Sequence, residues 1–178
     1  LLIPISVLSY WLIRGLIYGN SVRAVLGGVI GSLSASLVSA LFSVIIATPI
    51  IIMVSQYRSR FGNLLERVML ALYGLPHIAV GVSILFITIK IFPTIYQSFT
   101  ALIISYLIVF LPQAIGAGQA SMEQVKDSYL DASNGLGNSK FQTFYKVTRP
   151  LIYRGLFAGG ALVFLSTMKE LPQTLLLR

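Results

Sequence analysis

The chain has 178 residues, of which 56% are hydrophobic and 10% charged, with a net charge of +8. A soluble domain carries roughly 25% charged residues, so this composition excludes a surface covered by water and leaves lipid to face the apolar excess. With no cysteine and a single histidine, His77, disulfides, thiolate chemistry and a histidine-based metal cluster are excluded as well.

The chain opens inside an apolar run, LLIPISVLSYWLIRGLI. The run lacks the basic start and the small-residue cleavage site of a signal peptide. Leu1 to Ile13 reads as the remainder of a first membrane span. Since Leu1 is not a methionine and the chain stops on LLLR, a piece of a longer protein is expected. Ala24 to Tyr57 carries no charge and is long enough for a second, tilted span. Within it Gly27, Gly31, Ser32, Ser36 and Ala40 supply small residues at helical spacing, which suit close helix packing in lipid. A third span is expected over Val68 to Ile89, interrupted only by His77, and a fourth over Ile91 to Met122. A fifth begins at Gly155, repeats the small-residue spacing at Gly159, and continues from Met168 toward Leu177. Pro49, Pro76, Pro112 and Pro172 fall in or near these spans, where each removes a backbone donor and favours a kink. Such breaks suit a protein with a wet internal path better than a simple anchor.

The basic residues sit in short connections. Arg58, Arg60 and Arg67 lie between spans two and three; Lys126, Lys140, Lys146, Arg149 and Arg154 lie between spans four and five. Alternation puts both connections on one side, against Arg14, Arg23 and Lys90 on the other. The positive-inside rule makes the richer side cytoplasmic. The charge therefore reports membrane orientation and implies no nucleic-acid partner. The expectation is an all-α polytopic bundle of about five spans, with a sixth beyond the C-terminus.

The connection Ser121 to Arg154 is too long for a bundle turn. Met122 to Leu136 predicts a helix with Val125, Tyr129, Ala132 and Leu136 on one stripe. Gly135 and Gly137 end it. Ser139 stands three before Gln142, a capping-box spacing. A short helix over Lys140 to Val147 follows, presenting Phe141, Phe144 and Tyr145, and Pro150 suits the first turn of the next span. These aromatic residues could pack on the ends of the chain's own spans or on another protein.

Asp131-Ala132-Ser133, three residues, Gly137, nine residues, then Val147-Thr148-Arg149-Pro150 resembles the signature loop of the permease subunits of binding-protein-dependent ABC importers. That family's pattern is Glu-Ala-Ala, three residues, Gly, nine residues, Ile, any residue, Leu-Pro. The spacing is kept; Asp for Glu, Ser for Ala, Val for Ile and Arg for Leu are departures. The resemblance implies a type I importer permease fold, with 1–178 a single permease domain and 119–150 its coupling loop. It implies that Asp131, Ala132, Ser133, Gly137, Ser139, Lys140, Phe141, Phe144 and Tyr145 meet an ATP-binding subunit. No cofactor is then bound by this chain. ATP and Mg belong to the partner ATPase, in keeping with the lack of a GxxxxGK[ST] loop here. The other implied partners are an extracytoplasmic solute-binding protein, a second permease bundle and membrane lipid. The chain is not expected to be an enzyme.

The segment Met168-Lys169-Glu170-Leu171-Pro172-Gln173-Thr174 is expected in the outer part of span five. Charges at mid-helix cost roughly 2.5–3.5 kcal/mol each on the insertion scale. Lys169 and Glu170 either snorkel to the interface or, with Pro172 and His77, line a path or gate. The stretch MKELPQTLLLR resembles ferric-iron permeases, in the second half of a fused chain, and implies iron(III) import. Thiamine, polyamine or other small-solute permeases share the scaffold. An ATP-independent channel or secondary transporter is the alternative of another class. A membrane enzyme is disfavoured, because the five acids form no nucleophile–base pair.

Overall fold

The computed structural model describes residues 2–18, 22–56, 60–125 and 127–177. It divides into two units, Leu1–Ser34 and Ala35–Arg178. Every regular element among the described residues is helical.

In the first unit, α1 (Leu2–Ile17) is apolar around most of its circumference. At 16 residues it is shorter than a full crossing. Near its end the Arg14 guanidinium lies 5.9, 5.8 and 5.6 Å from the ring centroids of Tyr10, Trp11 and Tyr18. A cation held on aromatic faces is the usual composition of a membrane–water boundary. α2 (Val22–Gln56) starts in this unit and ends in the next; its stretch Leu26–Val54 is long and apolar enough to cross.

In the second unit, α5 (Phe99–Met122) and α8 (Arg149–Met168) pack along each other and form the centre. The sequence allows this because one face of each is nearly bare. A Cβ built on Gly159 would stand 3.0 Å from Ala114 Cα and 3.0 Å from its carbonyl oxygen. One built on Gly155 would stand 2.7 Å from the Ala117 carbonyl oxygen and collide with Ser121. Gly118 abuts Ile51 of α2, and Gly160 abuts Val44 of α2. Apolar burial offers no drive between helices in lipid, so such backbone approach supplies much of the attraction. The glycine spacing read in span five is thus a packing face between two helices of the same chain.

The third span departs from expectation. Instead of one helix over Val68 to Ile89, α3 (Arg60–Tyr73) and α4 (His77–Lys90) meet at Gly74–Pro76 with a bend of 101°. Pro76 caps α4 with ψ 127°, an extended conformation. It cannot donate to the preceding turn, and it disfavours helical geometry at Leu75. The same chemistry breaks the fifth span. α8 stops at Met168, and α9 (Pro172–Leu177) restarts with proline in its first turn. Pro49 and Pro112, by contrast, lie inside continuous helices. Among the described residues three helices are long and apolar enough to cross, four if the bent pair is one crossing, and α1 is a shorter apolar helix.

Two further boundaries shift. The fourth span starts at Phe99, capped by the Ser98 hydroxyl, which accepts from Ala101 N at 3.2 Å; a 3₁₀ turn, Pro93–Ile95, precedes it. The expected separate helix Lys140 to Val147 is not separate. α7 (Lys140–Thr143) runs through a π segment, Phe144–Thr148, into α8, so Phe141–Met168 is one apolar helix.

Candidate functional site

Two places combine unusual residues with defined geometry: the junction of the two broken helices, and the hairpin at one end of α5 and α8.

The junction can be located by counting along α5. Gly155 faces Ala117 and Ser121, Gly159 faces Ala114, and Ser166 bonds Gln113 at 2.9 Å. α8 therefore ends near the level of Phe110. At 1.5 Å per residue that is about 16 Å in from the Phe99 end of α5. Glu170 thus stands beside the Tyr106–Phe110 stretch of α5. Glu170 is buried and Lys169 exposed, as neighbours about 100° apart must be on a helical end.

Glu170 is held from several directions. Its Oε2 lies 2.8 Å from His77 Nδ1, the first residue of α4. Its Oε1 accepts from Gln173 N at 3.5 Å. Its backbone carbonyl accepts the Thr174 hydroxyl, which also meets the Tyr106 hydroxyl of α5. Gln173 Nε2 donates to the His77 carbonyl at 3.2 Å. The His77 ring packs edge-on to Phe110, 5.3 Å between centroids. The structure thus unites His77, Glu170 and Pro172, which the sequence singled out. Lys169 points elsewhere. Tyr106 escaped the sequence reading, and Gln173 and Thr174 entered it only as members of the segment, although polar side chains within apolar runs were the available signal.

The arrangement has a physical logic. Each break leaves backbone groups without helical partners, and lipid would satisfy none of them. At the second break Glu170 caps Gln173 N within its own segment, and Gln173 reaches across to the His77 carbonyl at the first. One buried acceptor stays open, Gln173 Oε1.

In the hairpin, α5 ends at Met122, and α6 (Asp127–Gly135) follows a turn, rather than one helix running from Met122 to Leu136. The expected stripe is not a buried face. Val125 is buried, but Tyr129 and Ala132 are exposed and Leu136 is 83% exposed. The corner is as read. Gly137 has φ +79°, its N bonds Asn134 O at 2.9 Å, and Asn138 N bonds Ser133 O at 3.3 Å. The capping box also forms: Gln142 N donates to Ser139 Oγ at 3.3 Å, and Ser139 N to Gln142 Oε1 at 2.9 Å.

Buried Ser133 is the pin of the hairpin. Its hydroxyl meets Thr143 Oγ1 at 2.9 Å and accepts from Asn138 Nδ2 at 3.3 Å. Lys146 Nζ donates to Asn138 Oδ1 at 3.1 Å. Asp131 is exposed on α6. Phe141, 74% exposed, stacks on Tyr145, 56% exposed, while Phe144 is half-buried. The Arg149 guanidinium sits 4.6 Å from the Tyr145 ring centroid. The Lys140 backbone starts α7; its side chain lies outside the described residues. Leu136, Phe141 and Tyr145 leave the tip of the hairpin apolar and uncovered by this chain.

Residues 27–177 match the family model described as binding-protein-dependent transport system inner membrane component. The chain is 34% identical over 177 residues to the Fe(3+)-transport system permease protein FbpB 2 of Haemophilus influenzae, covering 98% of this chain and 35% of that protein. It is 27% identical over 168 residues to the phosphate transport system permease protein PstA 1 of Mycobacterium tuberculosis, covering 89% and 55%. Over 69 residues it is 36% identical to the spermidine/putrescine transport system permease protein PotB of Escherichia coli, covering 39% and 25%. The chain spans between a quarter and about half the length of these relatives. The family match covers most of the chain, the departures at Ser133 and Arg149 are each satisfied by a local contact, and several helices suit a multi-pass place in the inner membrane: the chain belongs to the binding-protein-dependent ABC importer permeases.

Proposed function

We propose that this chain forms the translocating bundle of an ATP-driven iron(III) importer, working with a separate ATPase and an extracytoplasmic solute-binding protein. The observation that carries the transport reading is the meeting of two broken helices at Glu170, His77 and Gln173. Discontinuous helices joined by polar side chains are how transporters bring a solute past the apolar layer. The hairpin is the coupling element. Its tip exposes Leu136, Phe141 and Tyr145 on a scaffold fixed by Ser133 and the Gly137 corner, and it docks on the ATP-binding subunit from the cytoplasm. The iron assignment rests on the similarity to FbpB 2, and a buried carboxylate beside an imidazole is compatible with the passage of a hard cation.

The test is uptake by the full-length transporter reconstituted with its ATPase and loaded binding protein. ATP-dependent accumulation of radioactive iron is expected. No iron uptake alongside robust spermidine uptake would reject iron in favour of the polyamine reading that PotB suggests. Absence of any nucleotide-dependent transport, with no ATP-binding subunit copurifying, would overturn the importer mechanism itself.

A further inference from the structure

A groove of about 570 Å³ runs between α3, α5, α8 and the last turns of α2. It opens on the outside of the bundle, because Leu70 and Tyr73 of α3 and Leu162 of α8, which line it, are 71%, 66% and 50% exposed. Ile50, Val54 and Ile115 make its floor apolar. Of its polar linings, Ser166 and Gln113 are bonded to each other at 2.9 Å, so part of their polarity is already met. At Gly116 the wall is bare backbone, with no atom within 4 Å of the place a Cβ would take.

Two arginines flank this groove. Arg154, Ala158 and Leu162 follow one another at steps of four on α8, all exposed, and residues four apart share a helix face. Arg154 therefore stands about 12 Å along that row from Leu162, toward the hairpin. Its neighbour Gly155 lies against Ser121, one residue before α5 ends at Met122. On the other wall Arg67, also exposed, lies one turn before Leu70 of α3. Neither guanidinium makes an ion pair, hydrogen bond or ring contact among the described residues. No Asp or Glu occurs between Lys140 and Met168 to answer Arg154 from its own helix.

Unpaired cations beside an open apolar groove fit a molecule that is anionic at one end and hydrocarbon along the rest. A soluble anion would use the arginines and leave the groove empty; a neutral chain would fill the groove and leave the arginines unmet. The guanidinium fork matches a phosphodiester, and basic pockets between spans on the cytoplasmic side suit such headgroups.

We propose that the groove seats an anionic phospholipid of the cytoplasmic leaflet. Arg154 holds the phosphate, with Arg67 on the other wall, and one acyl chain lies along Ala158 and Leu162 onto the Ile50–Ile115 floor. The site touches α2, α3, α5 and α8 at once, so the bound lipid stabilises the bundle by mass action. It does not depend on the solute carried, only on the orientation that the positive charges give.

The test uses the full-length transporter, purified in detergent and stripped of lipid. Dioleoylphosphatidylglycerol, dioleoylphosphatidylcholine or glycerol 3-phosphate is added, and binding is read by native mass spectrometry and by melting temperature. Phosphatidylglycerol should bind more tightly than phosphatidylcholine and raise the melting temperature further, while glycerol 3-phosphate should do neither. Arg154→Gln and Arg67→Gln should each weaken phosphatidylglycerol binding by about fivefold, whereas Lys90→Gln, at the other end of α4, should leave it unchanged. Gly116→Trp, which fills the groove, should abolish this binding with both arginines in place. Unaltered melting of each variant without lipid shows that the bundle is intact. Equal affinity for the two lipids, or a double arginine variant that binds as before, would overturn the site. The same shift from glycerol 3-phosphate would make it a soluble-anion site and overturn the lipid. Undiminished binding in Gly116→Trp would put the lipid outside the groove. A thiol at Leu162 that crosslinks to a second bundle, with no lipid retained, would make the groove a protein interface and overturn it too.

Discussion

Single residues carry much of what distinguishes this chain. Gly137, at φ +79°, occupies a backbone region that costs other residues roughly 1–2 kcal/mol. No neighbouring atom lies within 4 Å of the place a Cβ would take, so Gly137→Val should act through backbone strain and misplace the hairpin tip. Membrane insertion should survive, and stimulation of ATP hydrolysis by loaded binding protein should fall. Unchanged stimulation would disprove the placement of the coupling contact. At the junction, His77→Ala strands a buried carboxylate and should cost about 1–3 kcal/mol, read as a lower unfolding temperature in detergent. Glu170→Gln keeps one acceptor oxygen, enough for Gln173 N, and its amide can donate to His77 Nδ1 in the acceptor tautomer, so it should cost less. If the order were reversed, the geometry around Glu170 would be wrong. Ser133 and Arg149, which depart from the family pattern, illustrate how a local substitution is absorbed. One finds a hydroxyl in Thr143, the other an aromatic face in Tyr145.

At the scale of elements, proline was legible and its consequence only half so. Four prolines were visible in the sequence, yet Pro49 and Pro112 stay within helices while Pro76 and Pro172 sit at breaks. The difference lies in what surrounds them. Gly74 stands two residues before Pro76 and weakens the helix there, and the charged Lys169-Glu170 pair precedes Pro172. Which two breaks would meet depended on tertiary pairing that no spacing in one segment reveals. The small-residue faces were better written. Gly155→Leu and Gly159→Leu would drive side chains into α5 and should destabilise the bundle by about 1–3 kcal/mol each. Gly116→Ala, where nothing lies within 4 Å, should be neutral or slightly stabilising. Thermal unfolding of the three variants in one detergent separates them. Similar losses for all three would mean that α5 and α8 do not pack as described.

For the whole molecule, apolar runs and the loop signature revealed the class, because membrane solvation and motif spacing are local properties. The hairpin corner, its capping box and its exposed aromatics were all readable for that reason. The bend in the third span was not, since a run long enough to span can also fold back on itself. A topology test follows. Thiols placed at Gln97, in the α4–α5 connection, and at Leu136, on the hairpin, should react from opposite faces of the membrane. Reaction from one face would remove α5 from the list of crossings.

The uninterrupted helix from Phe141 to Met168 has one more implication. Its 28 residues make a strut about 42 Å long, with the exposed aromatics at one tip and the Glu170 contact just past the other. A strut pivoting at one end by about 5° carries its far end through about 3–4 Å over that length, more than the 2.8 Å that separates Glu170 from His77. Should the hairpin dock as proposed, a tilt of that size, carried with α5, would reach the Glu170–His77 contact with no flexible joint between.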